Sequence, residues 1–450
     1  MRWLHPDFPF RPARLPFFYG WVVVAVSTFG VVMSIPGQTM GVSVFTDHLI
    51  AATGLSRLEL SNSYLVGTLL SSLLLPRGGV WLDRHGARVT ALAAVTLLAA
   101  TLVALAHSDR LAARLASLLG AGPEATAPAL VVLAIGFASL RFSGQGMLTM
   151  TSRTMMGRWF DSWRGRAASF SGVVVSFGFA AAPLLLNAWI AAAGWRGAWL
   201  QMAVVVALVM GGVGWLLFRD NPEECGLTMD GRPSEQGSGE ADRLEASREP
   251  DFTRSEALRT RAFWLVTLAL GNQSLVMTAL TFHIVDLGDQ AGLAASQAVA
   301  LFLPIAVVST GVGFTAGFAA ERVPPQALVV VMMGCEILAF LGIAHMDQLP
   351  ARWLGIVGWG AAGGFFGPLA VVALPRFFGR AHLGAISSAQ MTCMVVASAI
   401  GPSLLAASKQ LFGSYQPALY ACCALPAAVL ALASVTRHPE LPTRAAPTSR

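Results

Sequence analysis

Apolar runs close to 20 residues long recur along this chain from Phe17 to Val435. A helix of about that length is what crosses the roughly 30 Å hydrocarbon core of a bilayer. In lipid the backbone has to satisfy its own hydrogen bonds, which leaves helices or closed barrels, and the alternating pattern of barrel strands is absent here. Runs bounded by charges or by Pro and Gly predict about twelve helices, at 18–46, 58–81, 88–107, 128–152, 166–190, 196–218, 262–285, 296–319, 326–346, 351–374, 383–407 and 415–436. Only 12% of the 450 residues are charged, about half the usual share in a soluble domain, and the mean hydropathy is +0.62. The composition argues against a water-soluble enzyme and for an all-α integral membrane protein.

The 30 basic residues, of which Lys409 is the only lysine, sort by side. With the N-terminus in the cytoplasm, 23 fall in cytoplasmic gaps and tails, 6 on the opposite side (Arg57, Arg110, Arg114, Arg196, Arg352 and Lys409), and Arg141 lies inside a span. This is the bias of the positive-inside rule, and it places both termini in the cytoplasm of a plasma membrane or bacterial inner membrane. The bases form no stripe with interleaved aromatics, so no nucleic-acid partner is expected. Five cysteines show no metal-binding or disulfide spacing, and no cofactor or metal site is expected. The N-terminal residues run straight into a full-length span and do not read as a cleavable signal. The segment 219–260 carries 11 of the 24 acidic residues with Gly, Ser and Pro and reads as a solvated, flexible linker. The expected organisation is an N-tail (1–17), a six-helix bundle (18–218), the linker (219–260), a second six-helix bundle (261–436) and a C-tail (437–450).

The two halves align. Arg158-Trp159-Phe160, then Gly165-Arg166-Ala167-Ala168-Ser169 and Pro183, match Arg376-Phe377-Phe378, then Gly384-Ala385-Ile386-Ser387-Ser388 and Pro402. Gly79-Val80-Trp81-Leu82-Asp83-Arg84 likewise matches Gly317-Phe318-Ala319-Ala320-Glu321-Arg322. Six plus six spans, a central linker and an internal repeat resemble the major facilitator superfamily, a family of repeat-built transporters. Gly79, Asp83, Arg84, Gly86 and Arg88 resemble that family's G-x-x-x-D-R-x-G-R signature between its second and third helices, with Ala87 inserted before the last arginine. The resemblance implies two pseudo-symmetric six-helix bundles and alternating access. For Asp83 and Arg84, at the ends of two helices, a conformational role and a topological one both stand.

Arg141 is the sharpest functional signal, because a cation at membrane depth needs water or a partner. It has two readings, a ligand for solute or an arginine bonded to helix-end carbonyls. Its segment resembles the family's R-x-x-Q-G element, with Gln145 and Gly146 one residue later, and the resemblance implies that helices 1, 4, 7 and 10 line the cavity. Pro36 and Gly37 interrupt the first span and free backbone groups there, which makes Gln38 and Thr39 candidate contacts. Asn272 and Gln273 in the seventh span, beside Ser274, and Gln390 in the eleventh, between Ser388 and Thr392, are further hydrogen-bonding candidates. Glu336, deep in the ninth span, and His283, near the end of the seventh, are the proton-coupling candidates. Each also reads as a packed, satisfied side chain, and the resemblance implies a peripheral ninth helix.

One fixed cation among the cavity helices, with no deep acid there, favours a small organic anion as solute, its apolar part suited to Phe142, Trp359 and Phe365. Tyr19-Gly20-Trp21 and Phe377-Phe378-Gly379-Arg380-Ala381-His382-Leu383-Gly384 resemble the monocarboxylate and oxalate/formate branches, which place a basic residue inside helix 8 or 11 where this chain has none. The expectation is a monomeric secondary active transporter, a proton symporter of monocarboxylate-like anions, with solute, protons and lipid as its partners. Drug or amphipath efflux, and a non-transporting sensor with the same fold, are the alternatives. No catalytic set of residues and no nucleotide-binding loop appears, so neither an enzyme nor an ATP-driven pump is expected.

Overall fold

The computed structural model describes residues 7–120, 122, 125–160, 163–231, 252–378 and 383–436, without the side chains of 83, 164–166, 168, 169, 320, 321, 371, 375, 383–385, 387 and 388. The expectations placed on the side chains of Asp83 and Ser388, on linker residues 232–251 and on the tail 437–450 therefore lie outside the described residues. Among the described residues every regular element is a helix. Nine of these are long and apolar enough to cross a bilayer, ten with the bent pair Leu349–Ala370 and Val372–Phe378. The 48-residue helix Phe170–Leu217 holds the fifth and sixth expected spans and turns at Gly194, whose backbone sits at φ 72° and ψ 165°. The first span forms only the 14-residue helix Gly20–Met33 before Pro36 interrupts it. All twelve expected spans thus have a helical counterpart.

The helices are apolar on the side that faces away from the protein. In Arg57–Leu82 only 28% of the apolar window is buried, and Val66, Leu70, Leu73 and Leu74 stand exposed along it. That surface suits lipid and not water, because side chains of this kind gain free energy only where water is excluded. The seventh span, Arg261–Gln290, is the opposite case, with 83% of its window buried. The chain is an all-α, multi-pass membrane protein.

The chain forms two compact units. One comprises Met1–Ser234 with Thr278–Ala306 and Ala399–Ser414; the other comprises Glu235–Met277, Val307–Ser398 and Tyr415–Arg450. The first unit thus includes the later turns of the seventh span and the last turns of the eleventh. Asp286 from the former bridges Arg57, at 3.3 Å, and Lys409, at 3.5 Å, while Arg57 also pairs with Asp47. In the second unit the ninth and tenth spans pack backbone to backbone. A Cβ added to Gly358 would lie 2.7 Å from the Cys335 carbonyl oxygen, so only a small residue permits this approach.

The expected flexible linker is corrected at both of its described ends. Arg219, Cys225 and Asp230 are buried. The Arg219 guanidinium donates to the carbonyls of Leu216 (3.0 Å), Phe218 (2.8 Å) and Phe8 (2.8 Å), and Trp159 Nε1 donates to its carbonyl at 3.1 Å. An arginine that caps the orphan carbonyls at a helix end offsets the acidic, Gly-rich composition around it. Downstream, Phe252 N–H donates to the Phe378 carbonyl at 3.0 Å, and Phe252 joins the core built from Phe263, Leu270, Met333 and Phe377. Composition averaged over 219–260 hides these anchors.

The signature loop docks on the same segment. Gly86 sits at φ 79° and ψ 170°, a region only glycine occupies without strain. Ala87 N–H donates to the Asp220 carboxylate, which also pairs with Arg158 at 3.6 Å. Arg88 is buried and donates to the carbonyls of Phe218 and Phe8, both at 3.1 Å. Gly79, by contrast, has open space where a Cβ would go.

Two outcomes follow. Gly86→Ala destabilises the protein by about 1–3 kcal/mol, seen as a lower thermal midpoint in detergent, whereas Gly79→Ala leaves the midpoint unchanged; equal midpoints would remove the strained-turn account. Burial pushes the Cys225 thiol up to about 11, against the opposing pull of Arg219, from an ordinary value of 9.0. The folded thiol keeps its proton where the unfolded one loses it, so its contribution to stability is whole below pH 9.0 and falls as pH rises towards 11. In a variant whose one thiol is Cys225, maleimide labelling at neutral pH is expected to run at least about tenfold slower in the native protein than in the unfolded one, as the burial implies.

Candidate solute site

In the first unit the site is built where two helices depart from α geometry. After Met33 a single tight turn, Ile35–Gly37, precedes an extended Gln38 (φ −90°, ψ 159°), because Pro36 has no N–H to continue the helix. Facing it, the fourth span is α-helical over Ala127–Leu140, π-helical over Arg141–Leu148 and α-helical again over Thr149–Trp159. A π-turn absorbs one extra residue, and such turns gather at functional sites. The late placement of Gln145 and Gly146 in the sequence corresponds to this turn. The two irregular segments touch through glycine: a Cβ on Gly37 would lie 2.6 Å from the Leu140 carbonyl oxygen and 2.7 Å from Gly144 Cα.

Arg141, 3% exposed, projects from the first residue of the π-turn. One of its terminal nitrogens donates to the Gly37 carbonyl and to Thr39 Oγ1, both at the long distance of 3.4 Å. Its guanidinium carbon stands 5.3 Å from the centre of the Tyr64 ring. Tyr64, itself fully buried, hydrogen-bonds Thr39 Oγ1 through its hydroxyl at 2.9 Å and packs on Phe137 and Phe282 at centroid distances of 5.4 and 4.7 Å. Among the described residues Arg141 Nε has no hydrogen-bond partner, and no carboxylate pairs with the guanidinium. Gln38 Nε2 donates to Ser34 Oγ at 3.0 Å and to Thr149 Oγ1 at 3.4 Å. The structure therefore brings Arg141, Thr39 and Gln38 to one crossing. Gln145, on the same turn, is exposed.

In the second unit Glu336 is fully buried and turned towards the seventh span. Asn272 Nδ2 donates to its Oε2. With its amide oriented to satisfy both neighbours, Gln273 donates to Glu336 Oε1 at 2.9 Å and accepts from Gly363 N–H at 3.3 Å. Asn272 and Gln273, expected to bond a solute, here hold a carboxyl group. The ninth helix turns its deep acid inward at this position. Trp359 is buried and its indole N–H points at Met277 Sδ, 3.3 Å away. Gln390 is buried with its Nε2 unpartnered.

His283 is buried in the first unit, and its Nε2–H donates to the Pro402 carbonyl at 2.8 Å. Of the signature, Arg84 is exposed, while Gly86 and Arg88 form the docked loop described above. Sequence reasoning missed Tyr64, Asp220 and Arg219. Tyr64 has no signal beyond an isolated tyrosine in an apolar run. Arg219 and Asp220 sat in plain view at the end of the sixth span, where a basic residue next to helix-end carbonyls is a recognisable cap.

No curated protein matches this chain. Among solved structures it is similar to a D-xylose–proton symporter (TM-score 0.66, 16% identity, 93% of this chain and 98% of that one). It is also similar to a bacterial homolog of the human lysosomal transporter Spinster, in an inward-facing, unoccupied conformation (0.62, 16%, 92% and 94%). A third is the human organic anion transporter MFSD10, or TETRAN (0.57, 18%, 93% and 100%). At these identities the likeness is one of fold. The sequence profile of the Major Facilitator Superfamily matches residues 22–402, most of the chain, and this protein belongs to that family.

Proposed function

We propose that this protein is a secondary active transporter that moves a small organic anion by alternating access, coupled to protons, with both termini in the cytoplasm. One observation carries the reading: among the described residues Arg141 is a buried cation whose hydrogen bonds are all long and to neutral partners, and its Nε has none. Arginine stays protonated in proteins, and a cation at membrane depth is costly unless it meets water or a counter-charge. A carboxylate meets a guanidinium through two parallel, charge-assisted hydrogen bonds, which the long 3.4 Å contacts to Gly37 and Thr39 do not supply. Thr39, Gln38 and Gln145 are the polar groups proposed to complete the solute's surroundings.

Two facts support proton coupling. Glu336 is a buried carboxyl held by neutral amides only, and a solved structure of the same fold is a proton symporter. His283, committed to a backbone carbonyl, reads as a brace for the eleventh span. The basic-residue bias across the spans supports the orientation.

Uptake of labelled monocarboxylates into proteoliposomes, with and without an imposed pH gradient, tests the reading. Arg141→Ala is expected to lower carboxylate uptake by roughly 10- to 100-fold, the size of a lost hydrogen bond to a charged group at about 1.5–3 kcal/mol. Arg141→Lys loses most of that as well, because an ammonium lacks the planar fork. Tyr64→Phe keeps the ring, loses the bond to Thr39, and lowers uptake by about 2- to 10-fold. Full carboxylate uptake by a folded Arg141→Ala protein would exclude the anion and leave efflux of amphipaths as the better reading.

A further inference from the structure

A carboxylate and a carboxylic acid make opposite demands on their neighbours. The charged form only accepts hydrogen bonds, and the neutral form also donates one. Around Glu336 two amides answer the charged form, Asn272 at Oε2 and Gln273 at Oε1. They are not equivalent. The Gln273 amide is bonded at both ends, donating to Glu336 at 2.9 Å and accepting from Gly363 N–H at 3.3 Å, so turning it breaks the second bond. The Asn272 amide is bonded at one end only: its Oδ1 is buried, with no partner, in a residue 6% exposed.

We infer that Asn272 reads the proton state of Glu336 by turning its amide. With Glu336 charged, Nδ2–H donates to Oε2. When a proton binds Oε2, a half-turn of the amide brings Oδ1 into that place, and the new O–H donates to it. No covalent bond other than the O–H forms or breaks. The unpartnered end of the amide points the same way in both states, so the turn adds no further unsatisfied group, and leaving two acceptors or two donors face to face is what drives it. No charged side chain among the described residues bonds to Glu336; the groups facing it are the seventh-span amides and Gly363 of the tenth span, and its chain neighbour Cys335 is a titratable thiol. Gln273 keeps the seventh, ninth and tenth spans joined in both states, while the bond between Asn272 and Glu336 reverses its direction. This assigns the proton's arrival to one rotatable group on the seventh span. It rests on the proton-coupled reading above.

The chain has four asparagines, Asn62, Asn187, Asn221 and Asn272, so asparagine-selective ¹⁵N labelling of the full-length protein in detergent gives few side-chain amide signals. The Asn272 signal is the one lost in Asn272→Leu. Between about pH 5 and pH 9 it is expected to shift in one sigmoidal step in the native protein. In Glu336→Gln, whose amide imitates the neutral acid as a donor, it is expected to stay at the low-pH position throughout. In proteoliposomes, the several-fold acceleration of uptake by an imposed pH gradient is expected to fall below about twofold in Asn272→Leu, while solute exchange at equal pH continues. An Asn272 signal that keeps one position across that pH range, or moves identically in Glu336→Gln, overturns the inference; so does a gradient response intact in Asn272→Leu. The amide titration needs no solute and does not depend on Arg141, so a failed anion assignment, seen as full carboxylate uptake in Arg141→Ala, is told apart from a failed proton reading, seen as an Asn272 signal that does not respond to pH.

Discussion

In hydrocarbon an unpaired backbone N–H or C=O costs several kcal/mol, and this constraint governs where the protein is regular and where it is not. Most of the described chain satisfies it with uninterrupted helix. Three of the departures among the described residues have side chains that complete them. The break at Pro36 frees the Gly37 carbonyl, and Arg141 takes it up. The turn at Gly86 places Ala87 N–H on the Asp220 carboxylate. The carbonyls at the end of the sixth span are capped by Arg88 and Arg219. Irregular backbone survives in a membrane protein only where other groups can complete it, and at these points Arg141, Asp220, Arg88 and Arg219 do so.

Seen by themselves, the two units bury opposite kinds of unfinished chemistry. The first holds a guanidinium with neutral partners and a nitrogen left over; the second holds a carboxyl between two amides. Either group would be a poor choice for stability alone, since apolar side chains of similar volume fill a core at less cost. The first unit also shows what this protein does with charges that serve structure. Arg57, Asp47, Asp286 and Lys409 are paired with one another. Arg88 and Arg219 are also buried, but they cap carbonyls at 2.8–3.1 Å; Arg141 differs in that its two hydrogen bonds stretch to 3.4 Å.

The fold was largely legible, because hydrophobic run length is a strong signal and lipid allows few answers to it. Each span has its helix, and Pro36 breaks the first as its chemistry demands. What escaped were features set by tertiary contact. The π-turn at Arg141 left a trace, the single-residue delay of Gln145 and Gly146, but a delay does not say how the helix absorbs it. The described ends of the linker departed from the expectation because composition averages over residues, whereas Arg219 and Phe252 anchor those ends one at a time. Which way Glu336 faces was open in the sequence, because it depends on Asn272, 64 positions away. Tyr64 was invisible for the same reason: its importance lies in the guanidinium above its ring.

That ring bears on how a transporter keeps a cation ready. A carboxylate beside Arg141 would neutralise it, but removing one partner of a buried ion pair costs about 3–5 kcal/mol, and an arriving anion would have to displace it. A ring face contributes about 0.5–2 kcal/mol, and hydrogen bonds as long as 3.4 Å lie beyond the favoured range. These weaker partners hold the guanidinium in position without satisfying it. On the proposed reading the surplus is available to a solute in the occupied state and is given up on release. A site that binds loosely in the empty protein can also empty itself, and release on the far side is as necessary to transport as capture on the near one. The Tyr64 hydroxyl, hydrogen-bonded to Thr39 at 2.9 Å, ties the broken first span to the second beside the guanidinium.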